Sequence, residues 1–128
     1  MQKPKLTTAP FTQPAPEVFE AVLGVVQNGK FTLAALDNER HRIAFSSGKT
    51  ALSWGHDYLV EVAQGATGAE LSLVCGGVDG APAALMDGWK NGKAAGKVVA
   101  AVNDVVNGVT TAHVTPTESF GVEIFGQA

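Results

Sequence analysis

Residues 41–76 read HRIAFSSGKTALSWGHDYLVEVAQGATGAELSLVCG, and this stretch decides the fold. Three runs within it alternate apolar and polar residues with the period of two that is typical of β-strands. These runs are 41–47, 50–62 and 69–76. The Gly48-Lys49 turn and a hairpin loop at 64–68 join them. Because connections this short join antiparallel neighbours, the stretch predicts three strands of an antiparallel meander.

Each predicted strand has one apolar face that should point into the core. The apolar faces carry Ile43 and Phe45 on the first strand, Tyr58, Val60 and Val62 on the second, and Leu71, Leu73 and Cys75 on the third. Asp57, Leu59 and Glu61 share the opposite face of the second strand. Gly55 interrupts that strand and indicates a bulge or a bend.

Upstream of the meander, the pattern predicts a further strand, a helix and an edge strand. The run KFTLAAL at 30–36 is β-prone and is followed by a polar turn at 37–40. Before it, apolar residues recur at helical spacing from Phe19 to Val26, and Asn28-Gly29 is a typical helix stop. Pro16 suits a first helical turn, so we expect a helix from Pro14 or Ala15 to Gln27. The residues before it read as an edge strand whose length is limited by prolines.

Downstream of the meander, residues 83–107 predict a long helix. At about 100° per residue, its apolar residues fall on one face. They are Ala95, Val98, Val99, Val102, Val105 and Val106. Gly88, Gly92 and Gly96 fall on or beside this face, whereas Lys90, Lys93 and Lys97 fall on the other side.

Both stripes of this helix allow two interpretations. Glycine in a helix interior costs about 0.8–1 kcal/mol relative to alanine, so the series needs a compensating role. We favour close packing of the helix on the sheet, and the alternative is space for a ligand beside Gly92. For the lysines we favour an ordinary solvated face, and the alternative is a docking patch for an acidic partner.

The C-terminal segment 109–128 is the least regular part of the chain. It holds two short β-prone pieces, 109–114 and 120–125, which Pro116 separates. We therefore expect a single domain over residues 1–128, with a core at about 3–107 and an extension that contributes short strands.

Composition narrows the classes of function. The chain has 128 residues, 16% of them charged, and a net charge of −3. That charge disfavours nucleic acid and acidic membrane surfaces as partners, because both are bound through clustered Lys and Arg. No apolar run suggests a membrane span or a signal peptide. The only cysteine, Cys75, precludes an internal disulfide, so we expect a cytoplasmic protein.

Motifs for catalysis, metals or cofactors are absent from the sequence. Gly48-Lys49-Thr50 ends like a phosphate-binding loop, but Ile43 stands where such a loop needs its first glycine. The three histidines have no metal-motif spacing, and His56-Asp57 point to opposite faces of a strand. Cys75 is expected to be a small buried hydrophobe. We expect no metal site, no cofactor and no enzymatic activity.

Aromatic side chains offer the best candidates for a ligand pocket. Trp54 and Trp89 are the two largest apolar side chains, and Tyr58 lies on the inward face of its strand. A concave pocket over the sheet would be lined by Trp54, Tyr58 and Trp89, with Gly92 beside it.

The order of strand, helix, four antiparallel strands and long helix resembles the β-α-β4-α arrangement of the helix-grip and TATA-binding-protein-like folds, which include the Bet v 1-like proteins. The chain also looks like small bacterial domains of unknown function that carry a Ser-Trp-Gly step and an Asp-Gly-Trp-like step. Here these are Ser53-Trp54-Gly55 and Asp87-Gly88-Trp89. The resemblance implies an α+β fold whose long helix crosses one face of a twisted antiparallel sheet. It also implies that apolar ligands are gripped between that helix and the sheet.

Taken together, these features favour a non-catalytic binding module for a small apolar ligand or a partner protein. The alternative is a structural or self-associating protein that pairs with a second copy through its sheet or its C-terminal tail. An exposed, flat, apolar sheet face would favour this alternative.

Overall fold

The computed structural model describes residues 1–48, 55–78 and 87–126, with side chains from residue 90 onward in the last helix. Its elements follow the predicted β-α-β4-α order and confirm the α+β class. In chain order they are β1 (Gln2–Phe11), α1 (Ala15–Asn28), β2 (Phe31–Asp37), β3 (Arg42–Ser47), β4 (His56–Gln64), β5 (Ala69–Gly77), α2 (Asp87–Val106) and a short 3-10 helix (Val122–Phe125).

The described strands form an antiparallel sheet in the order β1-β5-β4-β3-β2. The meander runs from β2 to β5 through neighbouring strands, and β1 returns to pair with β5. Helix α1 therefore connects the two edge strands, and its apolar face covers the sheet between them. Gly55 precedes β4 at φ +92°, and a Cβ there would collide with the Ser47 carbonyl oxygen. Gly55 therefore lies before β4 and not inside a strand as predicted, and only glycine fits such a close approach. Residues 50–54 of the predicted strand are outside the described residues.

The predicted inward faces of the meander form the core. Tyr58 pairs with Phe45 on one side and with Cys75 on the other, so these residues lie side by side under the helices. The buried inward residues of the three strands are Ile43, Phe45, Tyr58, Val60, Val62, Leu71, Leu73 and Cys75. Val18, Val22 and Val26 of α1 complete this core from above. The alternation of apolar and polar residues along the strands thus determines which face of the sheet the helices cover.

Helix α2 covers only part of the sheet. It packs on β1 and β5, touches α1, and makes few contacts with β4. Its predicted apolar face is confirmed at Ala95, Val98 and Val102, which are all buried. Asn91 is also buried on this face, and its amide donates a hydrogen bond of 2.8 Å to the Lys3 carbonyl of β1. Helix α2 therefore does not cover the half of the sheet nearer to β2.

Gly92 and Gly96 of α2 do not mark a close helix–sheet contact, and the surroundings of Gly88 are outside what the structure describes. A Cβ on Gly96 would meet nothing within 4 Å, so the close-packing interpretation is wrong for this residue. A Cβ on Gly92 would lie 3.2 Å from the end of the Lys5 side chain on β1. A flexible side chain can yield, so Gly92 does not hold the helix against the sheet backbone.

The C-terminal segment follows α1 and then reaches the outer face of the sheet. The Asn28 amide donates to the His113 carbonyl at 2.7 Å, and Gln27 exchanges hydrogen bonds with the backbone of Thr115. Phe120 then forms a two-bond bridge with Leu36 of β2. In place of the two predicted strands, the described part of this segment has that single bridge and the 3-10 helix. The reason is that side chains of α1, rather than a strand, satisfy the backbone of 113–115.

Candidate functional site

A cavity of about 510 Å³ lies in the space that α2 leaves beside the sheet. Its described lining comes from α1, from the start of β2 and from one flank of α2. The end of β3 and the start of β4, next to Gly48 and Gly55, also contribute. The lining residues are Val25, Phe31, Ser47, Gly48, Gly55, His56, Tyr58, Lys90, Lys93, Ala94, Lys97, Val98 and Ala101. This volume suits a small molecule, since ligand pockets usually measure about 300–1,000 Å³.

The sheet side of the cavity is an aromatic surface of Phe31 and Tyr58, and Phe45 packs against both rings without lining the cavity. Phe45 and Tyr58 stack with ring centroids 4.6 Å apart. Phe31 meets both rings edge-on, at 5.2 Å from Phe45 and 5.8 Å from Tyr58. Edge-to-face and stacked contacts hold aromatic rings in one arrangement. The cavity therefore offers a preformed apolar wall to a flat or aliphatic ligand.

A small polar group lies at the edge of this wall. The Ser47 hydroxyl accepts a hydrogen bond of 2.9 Å from the His56 backbone N–H. Burial raises the pKa of the Tyr58 hydroxyl above its ordinary value of 10.0, although a hydrogen bond with Ser47 offsets part of the rise. Tyr58 is therefore protonated and neutral at physiological pH, and its hydroxyl can donate one hydrogen bond and accept another.

The helix side of the cavity is basic. Lys90, Lys93 and Lys97 are exposed at its mouth, on the flank of α2 that also carries Ala94 and Ala101. Among the lining residues that the structure describes, neither Asp nor Glu occurs. The lysine stripe interpreted from the sequence as an ordinary solvated face thus borders this cavity.

The four residues predicted for a ligand pocket have different positions. Tyr58 lines the cavity. Gly92 lies on the opposite flank of α2, against Lys5. Trp54 is outside the described residues, and so is the side chain of Trp89.

Sequence reasoning missed Phe31 and the lysines as lining residues. Phe31 was seen only as part of a strand. For the lysines a signal was present, since Lys90, Ala94, Lys97 and Ala101 fall on one flank of the predicted helix. Long basic side chains that alternate with small ones on a helix flank are compatible with the mouth of a cavity. The pattern alone does not predict which part of the sheet lies opposite that flank.

The described residues give little support to other chemistries. They contain no group of three His, Cys, Asp or Glu side chains that could hold a metal ion. Cys75 is fully buried, and burial, with a smaller effect of Asp57, raises the pKa of its thiol to about 12. A thiol with this pKa is a poor nucleophile at neutral pH, as predicted for a buried structural cysteine. None of the described helices is long and apolar enough to span a membrane.

Comparison with known proteins identifies the fold. No protein-family model matches the chain, and no curated protein matches it. Among solved structures, the chain is similar to Ara h 8.0201, a Bet v 1 homologue, with a TM-score of 0.61 and 10% identity. The alignment covers 82% of this chain and 97% of that one.

Two further structures agree with this result. The di-domain ARO/CYC BexL from the BE-7585A biosynthetic pathway aligns with a TM-score of 0.56 and 17% identity, over 84% of this chain and 47% of that one. Protein CV1439 from Chromobacterium violaceum aligns with a TM-score of 0.50 and 12% identity, over 80% and 96% of the two chains. All three have helix-grip-like folds. The chain therefore has the helix-grip, Bet v 1-like α+β fold that its sequence pattern predicts.

Proposed function

We propose that this chain is a non-catalytic binding module that holds a small apolar ligand between α2 and the sheet. The observation that carries the proposal is the cavity of about 510 Å³ with its wall of Phe31 and Tyr58. A preformed apolar cavity with few polar groups is the usual form of a small-molecule site. The similarity to Ara h 8.0201 supports a binding role, because it is a homologue of the ligand-binding Bet v 1-like proteins.

The two hydroxyl groups at the cavity support binding rather than catalysis. Tyr58 and Ser47 hydrogen-bond to each other, and Asp57 is not among the residues that line the cavity. General acid–base catalysis needs ionisable groups that converge on one reacting atom and titrate near neutral pH. The raised pKa of Tyr58 keeps its hydroxyl protonated near neutral pH. We therefore assign this hydroxyl a hydrogen bond to the ligand.

The site is best tested with a neutral apolar dye whose fluorescence rises on leaving water, N-phenyl-naphthylamine. Wild-type protein should bind it saturably. Ala101→Phe should weaken binding by about tenfold or more, because the new ring occupies the cavity beside Val98. Ala100→Phe is the matched control, since Ala100 is exposed on the same helix and does not line the cavity.

Native mass spectrometry of the purified protein gives an independent reading of bound ligand and oligomeric state. A retained small molecule that Ala101→Phe releases supports the proposal.

The dye experiment can also contradict the proposal. Absence of dye binding in wild type, or equal dye binding by Ala101→Phe and Ala100→Phe, would exclude the cavity as the site.

Self-association is the second candidate, favoured by an apolar strip on the outer face of the sheet. Leu6 of β1 is 62% exposed and pairs with Val74 of β5. Val74 and Leu59 line an outer groove together with Ile124, which is 53% exposed. Light scattering would test this function: a dimer that Leu6→Gln/Ile124→Gln converts to a monomer would establish it, and a monomeric wild type would reject it.

We also infer that residues 1–128 form a single domain that acts in the cytoplasm. The buried free thiol of Cys75 supports this location, because oxidising compartments favour paired cysteines. Fractionation of cells that produce the protein, with antibody detection, tests the location directly.

A further inference from the structure

We propose that the ligand of this cavity is an amphipathic anion. Its apolar body lies against Phe31 and Tyr58, and a single carboxylate, sulfonate or phosphate group lies at the mouth among Lys90, Lys93 and Lys97. This inference rests on the proposed binding function and specifies the chemical class of the ligand.

Positive charge is concentrated at this cavity. The chain is acidic, with a net charge of −3, yet three of its nine Lys and Arg residues border this one cavity. Acidic side chains do not occur among the described lining residues, and His56 of β4 faces the same space. Among the residues of α2 whose side chains the structure describes, 90–106, the acidic residue on this flank is Asp104, which is exposed two turns beyond Lys97. The described lining of the mouth therefore carries positive charge and no carboxylate, which favours an anion there.

The lysines of this flank are close together. Lys90, Lys93 and Lys97 are separated by three and four positions, so they are neighbours on the helix surface. Like charges at these spacings repel each other. An anion bound at the mouth would lower this repulsion.

The cavity is divided into an apolar part and a basic part. The aromatic wall is on the sheet and beneath it lies the core, where a charge would be desolvated without a partner. Lysine side chains can lay their methylene stems along apolar surface and keep the ammonium group in water. The arrangement fits a molecule with one charged end, and it is too small a basic surface for a polyanion such as nucleic acid.

A matched pair of dyes tests this inference. N-phenyl-naphthylamine and anilinonaphthalene sulfonate share one apolar body, and the second carries an added sulfonate. Wild-type protein should bind the sulfonate about tenfold more tightly at low salt, and this preference should decline as salt rises from about 0.02 M to about 0.5 M. The decline is expected because charges at an open mouth are screened.

The variant Lys90→Gln/Lys97→Gln should lose most of the preference for the sulfonate, with binding of the neutral dye unchanged within about twofold. Lys3→Gln/Lys5→Gln is the charge-matched control, since both lysines lie on β1 and neither lines the cavity. It should keep the preference. Thermal melting of each variant verifies that the fold is intact.

These outcomes distinguish failure of the anionic ligand class from failure of the proposed binding function. Binding of the neutral dye with no preference for the sulfonate in wild type would overturn the anionic class and leave the cavity as a site for a neutral ligand. An equal loss of preference in the two lysine variants would also overturn it, because net charge alone would then explain the effect. Failure of wild type to bind either dye would overturn the proposed function and this inference with it.

Discussion

The two flanks of α2 differ in what they face. One flank carries Gly92 and Gly96 and turns toward β1 or solvent, and the Lys5 side chain lies near Gly92. The other carries Ala94, Lys97 and Ala101 and turns toward the cavity. Both flanks have small residues, but only the second combines them with basic side chains over an aromatic wall. Small residues on a helix therefore do not identify a site unless the opposing surface is known.

The core face between the flanks should carry most of the stability of α2. Val102 is fully buried, so Val102→Ala should lower the free energy of unfolding by about 2–3 kcal/mol through lost burial and the cavity left behind. The matched control is Val109→Ala, because Val109 is 70% exposed and its truncation should change stability by less than about 0.5 kcal/mol. Denaturant titrations measure both, and similar losses for the two variants would contradict the assigned core face.

The sheet beneath α2 should make stability sensitive to alkaline pH. Burial raises the pKa of the Cys75 thiol from an ordinary value of 9.0 to about 12. The folded state therefore binds this proton more tightly than the unfolded state, and the stabilisation is complete below pH 9 and is lost as pH rises toward 12. Between about pH 8 and 10.5 the loss should be about 2 kcal/mol.

Cys75→Ala isolates this contribution, because Tyr58 also titrates with a raised pKa. The variant should show a shallower decline of unfolding free energy over the same pH range. Identical pH profiles for wild type and variant would mean that the thiol is not buried as described.

The attachment of α2 to β1 should depend on Asn91. Its buried amide donates to the backbone carbonyls of Gln2 and Lys3, at 3.4 and 2.8 Å. Asn91→Ala should cost about 1–2 kcal/mol, because it leaves these acceptors without their donor. Asn103→Ala on the same helix is the control, since its amide bonds only within the helix, to the Val99 carbonyl. A smaller loss for Asn91→Ala than for Asn103→Ala would argue against this attachment.

The glycine flank should tolerate, and benefit from, added side chains. Gly96→Ala should stabilise the protein by about 0.8–1 kcal/mol, because a Cβ there meets nothing and helix propensity improves. Gly92→Ala should gain less, since its Cβ requires the Lys5 side chain to move. Destabilisation by Gly96→Ala, measured in urea, would restore the close-packing interpretation.

Local periodicity predicted the elements and their faces, as Ile43, Tyr58 and Leu73 illustrate. It did not predict the cavity, because the position of α2 over β1 and β5 depends on contacts between distant parts of the chain. The backbone of the C-terminal segment was mispredicted for a similar reason, since Gln27 and Asn28 of α1 satisfy it. The roles suggested for Trp54 and Trp89 remain predictions.

Heteronuclear NMR during titration with N-phenyl-naphthylamine tests most directly where the ligand binds. The account predicts saturable shift changes at Ala94, Val98 and Ala101 on the cavity flank, with the amide of Gly96 on the other flank unchanged. Shift changes confined to Leu6 and Ile124, on the outer face of the sheet, would contradict it.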